Sequence, residues 1–150
     1  MEKISSGRLF DQVLESGGFT YSPNDNKLIT SGFACPIANT ESVFEMAQFN
    51  EKSIASYRWS FKAVVGDEHP ELAIGCWWNP RDQKFYMDIV EIEQSLTLAL
   101  RKGILAGQQS IFDLNKGLTI WLPSPQKAGT ETQKEMYLLQ KVKELEQQYS

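Results

Sequence analysis

The sequence predicts an α+β fold: an antiparallel β-sheet of about five to seven strands, made of hairpins and a meander, with helices packed on one face and a C-terminal amphipathic helix. Three observations carry this. Residues 21–28 (Tyr-Ser-Pro-Asn-Asp-Asn-Lys-Leu) and 78–85 (Trp-Asn-Pro-Arg-Asp-Gln-Lys-Phe) repeat one pattern: aromatic, small polar, Pro, any, Asp, any, Lys, apolar. In it Pro presets a turn, Asp closes the turn on nearby backbone, and the residue after Asp takes the left-handed conformation, which predicts two similar hairpins. Apolar residues alternate through much of 58–92, the period of strands. Several other segments carry apolar residues three and four apart beside cap and stop signals, the period of helices.

In chain order, Leu9, Phe10, Val13 and Leu14 share a face of a helix over 5–16, stopped by Gly17-Gly18. Phe19–Tyr21 and Leu28–Phe33 form the first hairpin. Thr40 is a candidate N-cap for a helix over 40–55, with Val43, Met46, Ala47 and Ile54 as a loose stripe. Trp59, Phe61, Ala63 and Val65 alternate as a strand; Leu72, Ile74, Cys76 and Trp78 return, and Phe85, Met87 and Ile89 complete a three-strand meander over 58–92. A helix over 95–106 and a short hairpin through Asn115-Lys116-Gly117 follow. Thr132 and Glu135 read as a capping box opening a helix over 133–148. Residues 1–123 are expected to form one domain, and 124–150 a linker and helix whose stripe Leu138, Val142, Leu145 packs back or serves as an oligomer or partner interface.

The net charge of −4, with as many Lys as Glu after residue 124, argues against generic nucleic-acid binding, which needs a basic face. No apolar run reaches membrane-spanning length and the N-terminal stretch has no apolar signal region, so the expected place is the cytoplasm and the expectation is no membrane. There Cys35 and Cys76 are expected as free thiols.

No catalytic motif stands out. His69, the single histidine, lies in an acidic loop without a recognisable nucleophile, which leaves a histidine-based triad or a zinc site without support. No phosphate-binding glycine loop is present. No cofactor or metal is expected. The aromatic meander is more suggestive: Tyr57, Trp59, Phe61, Trp77, Trp78, Phe85 and Tyr86 crowd together. Adjacent Trp77 and Trp78 must point to opposite faces of a strand, one of them into a core. With Arg58, Lys62, Arg81 and Arg101 nearby, this set offers a stacking surface and cationic clamps. Asp88, mid-strand on the Tyr86 side, needs a partner, a ligand or water.

Several segments in order — Gly17-Gly18-Phe19-Thr20, Ser31-Gly32-Phe33-Ala34, Gly75-Cys76-Trp77, Tyr86-Met87-Asp88-Ile89-Val90 and Gln109-Ser110-Ile111-Phe112-Asp113-Leu114 — resemble a family of small uncharacterised proteins of bacteriophage, prophage and actinobacterial genomes with the pattern GGFT, SGYAV, GGW, YLDV, QxAI[FYW]DL. The resemblance spans about residues 17–116; Cys76 replaces a glycine of that pattern and Ser110 an alanine. It implies a phage or mobile-element setting and an accessory protein acting in the host cytoplasm. It carries no reaction.

The function expected from this setting and composition is a non-catalytic accessory protein that counters host defence. Its concrete form is a sponge, a homo-oligomer sequestering a nucleotide-derived immune signal, with Arg58, Trp77, Trp78, Arg81, Tyr86 and Asp88 as ligand-binding residues. The alternative is an inhibitor that binds a host defence protein through the C-terminal helix, with Leu138, Val142 and Leu145 as anchors. A nucleotide-directed enzyme with Asp88 or Asp113 as general base is a third reading.

Overall fold

The computed structural model describes residues 3–150. The fold is α+β: among these residues there are four α-helices and eight strands, and their ladders are antiparallel. Three stretches share one plan of helix, strand, turn, strand. They are α1 (Ser6–Ser16) with β1 (Gly18–Ser22) and β2 (Lys27–Leu28); α2 (Glu51–Val65) with β5 (Ala73–Asn79) and β6 (Lys84–Glu93); and α3 (Leu96–Leu105) with β7 (Ser110–Asp113) and β8 (Leu118–Trp121). Strands β3 (Phe33–Pro36) and β4 (Ser42–Glu45) lie between the first two plans, and α4 (Glu131–Tyr149) ends the chain.

The repeated turn forms as expected in both hairpins, with Asn26 and Gln83 at positive φ. The group that closes it differs. Ser22 Oγ accepts from Asp25 N at 3.2 Å and Asn79 Oδ1 from Arg81 N at 2.9 Å, so the residue before Pro makes the bond assigned to Asp. A third copy, without Pro, joins β7 to β8: Asp113 Oδ1 accepts from Lys116 N at 3.1 Å, and Gly117 takes the left-handed position at φ 67°. A residue without Cβ adopts that conformation at no steric cost.

The chain clusters into two compact units, interleaved in sequence: residues up to Thr30 with Asn39–Glu91, and Ser31–Ala38 with Ile92–Ser150. In the first, the strand order is β2-β1-β5-β6-β4. Phe19, Tyr21, Ile74, Cys76 and Met87 share one side of this ladder and bury against Leu9 and Val13 of α1 and Ile54, Phe61 and Val65 of α2. Each such aliphatic or aromatic side chain contributes about 1.5–3 kcal/mol on full burial. Ser5 caps α1 by accepting from Arg8 N, and Asn50 forms a reciprocal capping box with Ser53 on α2.

Residues 51–65 are the main departure from the sequence reading, which made 40–55 a helix and 58–65 a strand. Phe61 and Val65 fit both periods; Ile54, Tyr57 and Arg58 complete the helical one, and the Asn50–Ser53 box fixes the start. Trp59, inward-facing in a strand, is instead 75% exposed. Residues 42–45, placed in a helix by the sequence reading, pair with β6, and a single 3₁₀ turn (Met46–Gln48) precedes α2.

In the second unit β3, β7 and β8 form the ladder. Its core is Cys35, Ala99, Leu100, Ile104, Ile111, Ile120, Leu138 and Val142, with Leu145 and Tyr149 packed at its edge. The α4 stripe is therefore occupied within the chain: Leu138 is 3% exposed, and these residues do not form an outward interface in this structure. The helix starts two residues earlier than expected, on a Thr130–Gln133 capping box. Glu135, freed from capping, pairs with Arg101 at 2.7 Å. Cys35 and Cys76 are buried thiols outside any disulfide, and the Cys35 Sγ donates to the Phe33 carbonyl at 3.7 Å.

Candidate functional site

The side of the first ladder opposite α1 and α2 carries a different chemistry. Cross-strand register puts Thr20, Gly75 and Asp88 in one row, and Gly18, Trp77, Tyr86 and Val43 in the next. Asn79, Lys84 and Glu45 form a third row, beside the turn that holds Arg81. Thr20, Asn79 and Asp88 are buried although polar.

The structure thus brings Trp77, Tyr86 and Asp88 together, with Arg81 at the hairpin tip. The rings of Trp77 and Tyr86 stack at 5.1 Å between centroids, 28° apart, and both are half-buried. The Tyr86 hydroxyl donates to the Asp82 carboxylate, which fixes the ring from the turn. Trp78 lies on the opposite face, tilted against Phe85 at 4.8 Å; Phe85 in turn stacks on Phe49 at 4.4 Å. Arg58 is on α2, where its guanidinium donates to Ser6 Oγ (3.0 Å) and Tyr21 Oη (3.1 Å) and lies over the Tyr21 ring. Those bonds tie α2 to α1 and β1, so Arg58 and Trp78 stand apart from the Trp77–Tyr86 pair.

Asp88 is the unusual group. It is 4% exposed in mid-strand, and a Cβ at position 75 would lie 2.7 Å from its Oδ1, so only glycine opposite lets the carboxyl lie across β5. Burial pushes its pKa up, the charge of Glu41 adds to this, and donation from the Trp77 side chain opposes it; the result is about 8. At neutral pH Asp88 is therefore a neutral acid, one O–H donor with acceptor capacity. Continuing the β4–β6 register by one step sets Glu41 opposite Asp88. The adjacent Thr40 holds this crossing: its Oγ1 accepts from Ile89 N at 3.0 Å and its carbonyl from Tyr57 Oη at 2.6 Å. Burial, then the Asp88 charge, pushes the Tyr57 hydroxyl up, and burial does the same to the Cys76 thiol.

Sequence reasoning missed Glu41 and Thr40. Their role depends on the pairing of β4 with β6, which a helical reading of 40–55 hides. His69 sits on the surface, 3.2 Å from Glu71. Among the described residues no group of three or more His, Cys, Asp or Glu side chains could hold a metal ion, and no helix is long and apolar enough to cross a membrane.

Comparison with protein-family models, with curated proteins and with solved structures finds no match to this chain.

Proposed function

We propose that the protein is a non-catalytic binding protein that takes a small nucleotide-like molecule on the Trp77–Tyr86–Asp88 face. In the phage setting that the sequence resemblance implies, it acts as a sponge for a nucleotide-derived immune signal. The observation that carries this reading is the order of groups along β6 and its turn: a buried carboxyl at Asp88, an aromatic pair at Tyr86 and Trp77, then Lys84 and Arg81. Alternate residues of a strand are about 6.6 Å apart, so Asp88 and Lys84 are separated by about 13 Å. A hydrogen-bonding group, a stacking surface and cations, in that order, suit a base edge, a base plane and a phosphate. Lys84 is held by Glu45 at 3.5 Å in an exposed pair; such pairs are worth about 1 kcal/mol or less, so a phosphate competes readily.

The test is equilibrium dialysis against a mixture of cellular nucleotides and their cyclic derivatives, followed by heat release and mass spectrometry. The reading expects a retained nucleotide, released chemically unchanged, and loss of retention in both Trp77→Ala and Arg81→Ala. Turnover of the retained molecule, or no retention by folded protein, overturns it.

A further inference from the structure

We propose that the outer face of α2 joins two copies of this chain into an antiparallel, two-fold dimer centred on Trp59. The proposal is independent of the nucleotide reading: α2 covers the ladder side opposite Trp77 and Tyr86, so the dimer does not use that face.

The helix period defines the surface. Ile54, Phe61 and Val65 are the buried side of α2. On the other side Lys52, Ala55, Ser56, Trp59 and Ala63, spaced three and four apart, fall along one line, and all are exposed. Trp59 is 75% exposed, although tryptophan is highly buried on average and is enriched at the centres of interfaces. Its neighbours on the line are alanines and a serine. Small residues let two helix axes approach to about 8 Å, with room beside each indole.

The two ends of the line carry opposite charge. Lys52 opens it, and Asp67 follows the Gly66 that ends the helix. Both are exposed, and among the described residues neither forms an ion pair. Trp59 stands almost midway, roughly 11 Å along the axis from each. An antiparallel pair about Trp59 therefore sets Lys52 of each copy beside Asp67 of the other and Ala55 against Ala63. Lys62, at the edge of the face, meets Ser56. A parallel pair would set Lys52 on Lys52 and Asp67 on Asp67. Charge thus selects the antiparallel arrangement, and the two-fold makes both ion pairs at once. A surface that complements itself in this way commits the face to a second copy.

The area agrees with a small interface. Two tryptophans bury roughly 150–250 Å² each, against about 1,000 Å² in total for a specific contact. A helix of 15 residues, about 22 Å long, carries the remainder along its line. The dimer is therefore reversible, with a micromolar Kd.

The experiment is analytical ultracentrifugation of the full chain over a concentration series spanning the micromolar range. It compares wild type, Trp59→Ala, Lys52→Glu and Asp67→Lys, with circular dichroism to confirm that each is folded. These positions are exposed, so folding is expected to be intact. Wild type is expected to dimerise reversibly, and Trp59→Ala to raise the Kd at least about tenfold. Lys52→Glu and Asp67→Lys each weaken the dimer, because each sets like charges together. An equimolar mixture of these two variants regains it, because both ion pairs then reform with the charges exchanged. A wild type that stays monomeric throughout overturns the proposal. A dimer indifferent to Trp59→Ala moves the interface off α2, and a mixture no tighter than its components overturns the antiparallel register.

Discussion

Asp88 on β6 and Asp113 on β7 are both buried carboxyls on hairpins that follow a helix, and their surroundings differ. Asp113 stands at the start of its turn and accepts from Lys116 N, as Asn79 does for Arg81 in the other hairpin. A buried carboxyl that accepts from a backbone N–H has the partner such a group needs. Asp88 stands in mid-strand, takes a bond from an indole, and faces Glu41. The hairpin around Asp113 sends Ile111 and Ile120 into a core closed by α3 and α4. The hairpin around Asp88 sends Ile74, Cys76 and Met87 to its helices and keeps an aromatic and polar second face. One plan therefore builds a scaffold in the second unit, and in the first a scaffold with a second, aromatic and polar side.

The largest test of that contrast is the pH dependence of stability. The ordinary pKa of an Asp is 3.8, and in the folded protein Asp88 titrates at about 8. Between these values the folded state binds more protons than the unfolded state, so stability is full at acid pH and falls as pH rises from about 4 to about 8. At about 1.4 kcal/mol per pH unit the loss reaches up to about 6 kcal/mol. Asp88→Asn keeps an acceptor for Trp77 and removes the ionisation. Urea unfolding should find it more stable than wild type at pH 9 and close to wild type at pH 4. Equal pH profiles for the two proteins would erase the distinction between the carboxyls.

A smaller effect separates core from surface on α4. Leu138→Ala should cost about 3 kcal/mol, because it opens a cavity in the second unit. Leu139, one residue on and 48% exposed, should cost less than about 0.5 kcal/mol on the same change. If Leu138→Ala instead leaves stability intact and changes only the oligomeric state by sedimentation, the stripe is an interface after all. The smallest is Asp113→Ala, expected to cost about 1 kcal/mol through the lost turn bond, with no change in nucleotide retention. Loss of retention there would make the two carboxyls functionally alike.

Much of this architecture is legible in the residues. Pro23 and Pro80 with the positions that follow announce two turns, and Asn115-Lys116-Gly117 announces the third. The alternation around Ile74–Trp78 and Phe85–Ile89 gives β5 and β6 and sets Trp77 and Trp78 on opposite faces. Residues 57–65 mislead because Phe61 and Val65 satisfy both the strand and the helix period. The deciding signal, Asn50 three before Ser53, is present but lies outside the usual Ser/Thr–Glu/Gln form of the capping box. The site is half legible for the same reason. Trp77, Tyr86 and Asp88 follow from one strand pair, whereas Glu41 depends on a four-residue strand with no pattern of its own, and Arg58 moves away once its segment is helical.

The most direct measurement is a carbon NMR titration of the Asp88 carboxyl in the free protein, its resonance identified by its absence in Asp88→Asn. The account predicts a midpoint near pH 8, raised first by burial and then by the charge of Glu41. A midpoint near the ordinary Asp value of 3.8 would contradict it.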